Sequence, residues 1–293
     1  MVFDKVYFNR SFRFININPD IEVVDIEDIR RQEIDSVSVS HDTIKHKFEN
    51  IKNLNGISNI RGLRLNSYDY KSLNELKNYS SLEYFNFLGK TDEVIPFSEL
   101  NSLWCVYLNY DKKTCSSIFQ NKNIEYLFID NYSGDSSEEF NIFTEAKRIG
   151  LVKTKILEFE ALKYMPSLEH LGISYNSKMT SLKWVEEGKS LTSIGFQNCK
   201  NIEDWSSIGN VSSIEKIIIE SCGEIPSLDF LHQLPNLQEV RIIGTTSIGD
   251  GKIKNLMNHK TLKYLFLPIK KEYDIKLADL EDFTICEKNC YLV

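Results

Sequence analysis

Apolar residues recur along this chain as a triplet at relative positions 1, 4 and 6. In "SIEKIIIESC" the triplet is Ile214, Ile217 and Ile219, and Cys222 occupies position 9. Positions 4 and 6 alternate with their neighbours, which is the pattern of a short strand with one buried face and one outward face. Each triplet therefore predicts a strand that ends just before position 9.

The same frame repeats along nearly the whole chain. Triplets begin at residues 12, 34, 60, 82, 103, 124, 146, 168, 191, 214, 237, 262 and 280, mostly 21 to 26 residues apart. One unit alone cannot bury its apolar face, whereas stacked units form a continuous core. We expect a single domain over residues 1–293, with an N-terminal cap at 1–11, about twelve repeats over 12–275 and a C-terminal cap at 276–293.

The segments that follow position 9 carry a second period. Apolar residues recur there every third place, as in Ile202, Trp205 and Ile208, which predicts a turn of 3₁₀ helix. Two longer segments, 67–82 and 249–262, have apolar residues spaced three and four apart. That spacing predicts short α-helices in these two repeats.

Three units match the pattern L-x-x-L-x-L-x-x-N/C outright, namely "LEHLGISYN", "LTSIGFQNC" and "IEKIIIESC". The chain thus resembles the leucine-rich-repeat family, with short repeats of the bacterial type, over about residues 12–285. The resemblance implies an α/β solenoid: a leucine-rich-repeat horseshoe with a parallel β-sheet on the concave face and short 3₁₀ or α turns on the convex face. Every unit before residue 146 departs from the pattern at position 9, where the residues are Asp20, Asp42, Tyr68, Lys90, Asp111 and Tyr132.

Position 9 turns inward after each strand, where its side chain can satisfy backbone groups of a tight bend. Asparagine satisfies these groups best, while threonine and cysteine do so more weakly in a similar volume. The predicted structural ladder is Asn176, Cys199, Cys222 and Thr245.

The cysteines could instead form a disulfide or bind a metal ion. Stacked rungs lie about 5 Å apart, which would permit a disulfide, but the reducing compartment that we expect argues against one. A zinc site needs about four converging ligands, and the other rungs are asparagine and threonine. Cys286 and Cys290 have a C-x₃-C spacing, which without a second pair favours a capping role or an incidental thiol. We predict no metal site.

Composition and charge indicate which classes of partner and which compartment to expect. The 293 residues carry a formal net charge of −7, which repels phosphate backbones and disfavours nucleic acid. The sequence has no apolar run of about 18 residues, so no membrane span is predicted. The N-terminus "MVFDKVYFNRSFRF" lacks the apolar core of a signal peptide, which favours the cytoplasm.

Catalytic motifs are missing from the sequence. It contains no Walker A sequence, no G-x-G-x-x-G after a strand, no H-E-x-x-H and no G-x-S-x-G. The repeats also leave no room for a separate catalytic domain. We therefore predict that the chain is not an enzyme and needs no cofactor.

The outward residues beside positions 4 and 6 form the face that is free to bind. Aromatic side chains that the core does not need are typical of a contact site, and Tyr and Trp are common hot-spot residues. An end cap, a dimer partner or mutual stacking could also cover them. The predicted partner-binding residues of this cluster are Tyr84, Trp104, Tyr107, Tyr110, Tyr126 and Phe128, with Asn109 and Asp130 beside them.

A second feature of the same face is a row of three glycines, Gly150, Gly172 and Gly195. It would form a flat trough that a partner can approach, or it could merely relieve crowding. The basic residues beside it, which complete the predicted partner-binding set and suit an acidic partner, are Arg148, His170 and Lys216.

These features predict a monomeric, non-catalytic module that binds a protein partner on the concave face. Two alternatives stay open from the sequence. One is an immunity or inhibitor protein that neutralises a toxin. The other is a surface protein that binds glycans or mediates adhesion by stacking sugars on the aromatic residues.

Overall fold

The computed structural model describes residues 12–17, 35–39, 59–66, 69–276 and 279. They form two compact units, one ending at Ser133 and the other beginning at Gly134. The cap at 1–11, most of the cap at 276–293, and the triplet at 280 lie outside the described residues. The assignment of residues 1–293 to one domain stays a prediction.

The first unit contains six parallel strands that pair in chain order within the described residues. Each of these six strands begins at position 3 of its repeat. The pairing of β7 with β8 extends to position 7. A two-stranded sheet, β4 with β6, lies beyond the strand ends. The strands are β1 Phe14–Ile17, β2 Ser36–Val39, β3 Gly62–Leu65, β4 Asp69–Tyr70, β5 Tyr84–Phe87, β6 Lys90–Thr91, β7 Cys105–Asn109 and β8 Tyr126–Asp130.

The second unit repeats this architecture over its described residues. Six parallel strands again pair in chain order, and β13 pairs with β15 beyond the strand ends. The strands are β9 Arg148–Val152, β10 His170–Ser174, β11 Ser193–Gln197, β12 Lys216–Glu220, β13 Glu224–Ile225, β14 Glu239–Ile243, β15 Ser247–Ile248 and β16 Tyr264–Phe266.

The pairing register confirms the predicted frame. Ile194 pairs with Leu171 and Ile217, so position 4 always meets position 4 of the neighbouring repeat. Ile194 and Phe196, at positions 4 and 6, are fully buried, whereas Ser193, at position 3 of the same strand, is half-buried. Because side chains alternate along a strand, a slip of one residue would expose the whole apolar column, and this fixes the register.

Short 3₁₀ turns return the chain to the next strand, as the three-residue period predicts. In the first unit they are Asn74–Asn78, Phe97–Glu99 and Ser116–Gln120. In the second they are Glu138–Ile142, Glu160–Tyr164, Lys183–Glu187, Ser206–Asn210, Asp229–Gln233 and Lys254–Asn258.

The α-helices predicted at 67–82 and 249–262 are wrong. Both segments form 3₁₀ turns, in which Leu76 N–H donates to the Leu73 carbonyl and Leu256 N–H to the Ile253 carbonyl, three residues back. The buried residues recur every third place, at Leu73, Leu76 and Tyr79 and at Ile253 and Leu256, which is the period of a 3₁₀ turn. In the described part of the chain the one α-helix is α1, Lys112–Cys115, which Asp111 caps.

A residue with left-handed backbone conformation follows the strand in six consecutive repeats. Position 8 has positive φ, and in several repeats its N–H donates to the strand-end carbonyl of the next repeat, as Tyr175 does to Gln197 at 2.7 Å. This backbone reversal turns position 9 towards the core. The residues concerned are Asn131, Lys153, Tyr175, Asn198, Ser221 and Gly244.

Candidate binding face

The predicted aromatic residues of the first unit come together on the outward face of its sheet. Tyr107 stacks on Phe128 with ring centroids 4.2 Å apart and an interplanar angle of 10°. Tyr84 lies 5.8 Å from Tyr107, and Trp104 meets Tyr126 edge-on at 5.4 Å. The strands place Tyr84, Tyr107, Tyr126 and Phe128 side by side because these residues occupy positions 3 and 5, which point outward. Trp104, at position 2, lies just before β7.

The start of the chain covers part of this cluster. The Phe12 ring lies 5.4 Å from Tyr84 and 6.2 Å from Trp104, and the Phe14 ring lies 5.9 Å from Tyr84. Small residues make room for the phenylalanines: a Cβ on Gly62 would stand 3.1 Å from the Phe14 ring. The expectation that the whole cluster is exposed is therefore wrong, because Tyr84, Trp104 and Phe128 are 4%, 7% and 6% exposed.

Tyr107 and Tyr126 remain half-buried, so they keep part of their surface at the outward face. They are the aromatic residues of the predicted set that combine a strand position with remaining exposure. Their rings are held by Phe128 and Trp104, which limits the side-chain entropy that a partner would have to remove.

Two arginines that the sequence analysis did not single out organise the cluster. The Arg64 guanidinium lies 3.9 Å from the Phe14 ring centroid and donates to the Tyr84 hydroxyl at 3.4 Å. Arg61 forms ion pairs with Asp35 at 2.8 Å and Glu83 at 2.9 Å. Their positions in the repeat, 5 and 2, were visible in the sequence, but no local pattern indicated which ring or carboxylate each would meet.

Glu83 connects the arginines to the tryptophan. Its carboxylate accepts from Arg61 and from Trp104 Nε1, the latter at 3.1 Å. The hydrogen bonds and charges of Glu83 and Asp35 raise the pKa of Arg61, with the Glu83 hydrogen bond contributing most. The polar edge of Trp104 is thus satisfied within the molecule.

Tyr110 does not join the aromatic cluster. It occupies position 8 and packs against Tyr132 at 5.3 Å and Phe119 at 6.0 Å, where it is buried. With Asn109 it lines a cavity of about 690 Å³ beside β4, β6 and α1. Asn109 accepts from the Asn131 side chain at 2.7 Å, and Asp130 ends β8 half-buried.

The basic residues of the second unit lie in one row of its sheet. Arg148, His170, Ser193, Lys216 and Glu239 are register partners on β9 to β12 and β14. Acidic neighbours moderate the row: the Lys216 Nζ lies 3.5 Å from Glu239, and His170 Nε2 lies 3.9 Å from Glu169. The predicted basic strip is therefore mixed in charge.

The position-9 residues of the second unit form a hydrogen-bonded ladder. Asn176 accepts from the N–H groups of Lys178 and Met179 and donates to the Ile156 carbonyl, all within 2.9 Å. Cys199 N–H donates to the Cys222 sulfur at 3.4 Å.

The next rung after Cys222 is Thr246, and the prediction of Thr245 is wrong. Cys222 N–H donates to the Thr246 Oγ1 at 3.1 Å, and Thr246 is fully buried, whereas Thr245 is exposed. Gly244 has the left-handed backbone of position 8 in the other repeats, with a φ of 69°, but in this repeat the buried residue comes one place later than position 9.

The ladder thiols face carbonyl groups. The Cys222 thiol donates to the carbonyls of Phe196 and Glu220, and the Cys199 thiol donates to those of Ile173 and Gln197. The hydrogen bond with Cys199, and then burial, raises the pKa of the Cys222 thiol. Both sulfurs are therefore placed as hydrogen-bond donors to the backbone.

The other two described cysteines, Cys105 and Cys115, are also buried. Burial raises the pKa of the Cys105 and Cys115 thiols. All four described cysteines are free thiols. Cys286 and Cys290 lie outside the described residues.

Solved structures match the chain over most of its length. A leucine-rich-repeat protein of Leptospira interrogans is 20% identical with a TM-score of 0.58, covering 87% of this chain and 72% of its own. An internalin, InlF, of Listeria monocytogenes is 13% identical with a TM-score of 0.55, covering 85% and 76%. This chain has the leucine-rich-repeat fold.

Two further matches involve proteins of other kinds of organism. The plant peptide hormone receptor RGFR1, solved in complex with RGF2, is 16% identical with a TM-score of 0.53, covering 93% of this chain and 46% of the receptor. An adenylate cyclase regulatory protein, so named, of Trypanosoma equiperdum is 28% identical over 107 residues; the match spans 36% of this chain and 17% of that relative. No protein-family model matches the chain.

Within the described ranges, every helix is too short or too polar to span a bilayer.

Proposed function

We propose that this chain is a non-catalytic binding module that holds a protein partner on the outward face of its parallel sheet. The observation that carries the proposal is the aromatic cluster of the first unit. Tyr107 and Tyr126 keep part of their surface exposed while Phe128 and Trp104 hold their rings in place. Preorganised aromatic area of this kind is typical of hot spots.

The fold supports a binding role. A leucine-rich-repeat structure with a comparable chain path, the plant hormone receptor RGFR1, was solved in complex with RGF2. The same scaffold hosts many functions, so the proposal rests on the residues of the face and not on the fold alone. Those residues supply stacking area and hydrogen bonds, and their arrangement favours recognition over bond-making chemistry.

The experiment compares a double variant, Tyr107→Ala with Tyr126→Ala, with the unchanged chain. Partners are first identified by affinity purification from the native host and mass spectrometry, and the binding of the purified partner is then measured by calorimetry. We expect at least a tenfold rise in Kd, because two hot-spot rings are lost. Tyr164→Ala, which removes an exposed tyrosine from a 3₁₀ turn, is the matched control and should bind normally.

Folding and specificity are controlled separately. Circular dichroism and thermal melting show whether the double variant is folded, and Tyr107→Leu with Tyr126→Leu keeps apolar volume if the alanine variant unfolds. A folded variant that binds the partner as tightly as the unchanged chain would disprove the site. If the captured partner is a toxin, the inhibitor alternative gains support, and if only glycans bind, the proposal of a protein partner fails.

A further inference from the structure

The cavity of the first unit, beside β4, β6 and α1, has the size and the access of a small-molecule site. Its volume of about 690 Å³ falls within the range of about 300 to 1,000 Å³ that is usual for such sites. Buried aromatic residues, Tyr70, Phe87 and Tyr110, form part of its lining. Exposed residues such as Lys90 and Lys113 form another part, so a ligand can enter from solvent.

This cavity coincides with a departure from the repeat. In the second unit Asn176 and Cys199, at position 9, are fully buried and fill the interior beyond the strand ends. The corresponding residues here are Lys90 and Asp111, which stay exposed because an unpaired charge is costly to bury. Asp111 caps α1 instead of forming a rung. Departures from an otherwise consistent pattern are expected at functional sites.

Charged groups of both signs line the cavity. Asp69 and Lys90 are register partners of β4 and β6, and Lys113 is on α1. Within the described part of the chain, the ion pairs do not include these three residues, so their charges are available to a ligand. Uncharged polar side chains of the lining add hydrogen-bonding groups, namely Thr91, Asn109 and Asn131.

A ligand that carries both charges fits this lining best. A simple anion would meet the like charges of Asp69 and Asp92, and a simple cation would meet those of the two lysines. A carboxylate beside the lysines and an ammonium group beside the aspartates would instead form charge-assisted hydrogen bonds with both sets. Amino acids and short peptides with free ends carry this pair of groups.

We propose that this cavity binds a zwitterionic small molecule, either a free amino acid or a short peptide with free ends. Its carboxylate lies towards Lys90 and Lys113, and its ammonium group lies towards Asp69 and Asp92. The aromatic residues of the lining receive its apolar part. The inference does not rest on the proposed function, because Tyr107 and Tyr126 are not among the residues that line this cavity.

The first experiment measures the thermal unfolding midpoint of the full chain with single probes at millimolar concentration. The zwitterionic probes are the standard amino acids, dialanine and trialanine, and the comparison probes are succinate, putrescine and glucose. We expect at least one zwitterion to raise the midpoint, because a ligand that binds only the folded state stabilises it. Succinate, putrescine and glucose should leave the midpoint unchanged. Stabilisation by the alanine peptides without any amino acid would identify the ligand as a peptide.

Two neighbouring lysines provide a matched pair of variants for calorimetry with the most stabilising zwitterion. Lys112 and Lys113 are both exposed on α1, and Lys113 is among the residues that line the cavity whereas Lys112 is not. We expect Lys113→Gln to raise the Kd about tenfold, through the loss of one charge-assisted hydrogen bond. Lys112→Gln should bind as the unchanged chain does.

Thr91→Trp tests the cavity without changing its charge. Thr91 is half-buried on β6, where tryptophan suits a strand and its ring would occupy the cavity. We expect binding of the zwitterion to be lost while the midpoint without ligand shows that the variant is folded. If Thr91→Trp unfolds, Asp69→Asn takes its place and should weaken binding about tenfold.

Three results would overturn the inference. One is a panel in which no zwitterion raises the midpoint, and another is tighter binding of succinate, putrescine or glucose than of any zwitterion. The third is a zwitterion that binds Lys113→Gln and the second variant as tightly as the unchanged chain. The Tyr107/Tyr126 variant should bind the zwitterion normally, so the two sites are tested separately.

Discussion

At the scale of single residues, the cysteines show how a reactive group becomes a structural one. Cys199 and Cys222 lie in similar polar sequence surroundings, which alone would suit a metal site or a redox pair. Their thiols instead donate to backbone carbonyls, and each occupies the position 9 that Asn176 holds in an earlier repeat. A thiolate would lose these donor bonds in a site that is closed to water.

The ladder predicts a particular dependence of stability on pH. The pKa of Cys222 is raised in the folded protein, so the folded state holds this proton more tightly than the unfolded chain. Its contribution to stability is complete below the ordinary thiol value of about 9 and is lost as pH rises above it. The loss is at most about 1.4 kcal/mol per pH unit for one thiol.

Cys222→Thr measures this contribution, because threonine serves as a rung without titrating. We expect the free energy of unfolding of the unchanged chain to fall more steeply between pH 8.5 and about 10 than that of the variant. Urea titrations at several pH values provide the measurement, and a Cys199→Thr, Cys222→Thr double variant shows how much of the difference comes from Cys199, which is hydrogen-bonded to Cys222. Parallel pH profiles for the two proteins would show that this thiol titrates in the same way in the folded and unfolded states.

At the scale of elements, the backbone reversal at position 8 recurs in six consecutive repeats of the described chain, from the repeat of Asn131 to that of Gly244. Asparagine, lysine, tyrosine and serine all adopt positive φ there, although the Cβ atom of a residue other than glycine disfavours that conformation. The bonds from position 8 to the neighbouring strand, such as Tyr175 N–H to the Gln197 carbonyl, stabilise the turn. Repetition of one backbone path overrides local preference.

Gly244 tests the steric part of this turn. A Cβ there would stand 2.2 Å from the Ser221 Oγ, and φ is 69°. We expect Gly244→Ala to lower the free energy of unfolding by about 1 to 2 kcal/mol in urea titrations. Adding Ser221→Ala should recover the part due to the clash but not the part due to φ.

The matched control at the same position is Tyr175→Gly, in a repeat where φ is 55°. The tyrosine is exposed and glycine tolerates the left-handed conformation, so this variant should be as stable as the unchanged chain or slightly more stable. If Gly244→Ala proves as stable as the unchanged chain, the turn must relax more easily than this geometry allows.

At the scale of the whole molecule, the unbroken period of the sequence predicts one cooperative domain. The described residues divide into two compact units, and tryptophans report on each: Trp104 in the first, Trp184 and Trp205 in the second. In a solenoid each repeat is stabilised mainly by its neighbours, so unfolding spreads along an uninterrupted array.

The test uses two variants and two signals. Trp184→Phe with Trp205→Phe leaves fluorescence from Trp104 alone, and Trp104→Phe leaves fluorescence from the second unit. For a single domain we expect each fluorescence transition in urea to coincide with the transition in far-ultraviolet circular dichroism. Two transitions at separate urea concentrations would instead assign the chain to two domains.

The sequence alone determined the repeat frame, the strands and the 3₁₀ turns, because stacking imposes the same apolar positions on every unit. It predicted which residues point outward but not what covers them. That Phe12 and Phe14 reach Tyr84 and Trp104 depends on contacts between residues some seventy to ninety positions apart, which leave no local signal.

The absence of a local signal also accounts for the other differences between the predicted and the observed positions. Thr246 and not Thr245 accepts from Cys222 N–H, and Tyr110 turns to Tyr132 because position 8 leaves the sheet. Periodicity determines which side of a strand a residue occupies, whereas its neighbours there are decided only when distant repeats and the loops between them fold together.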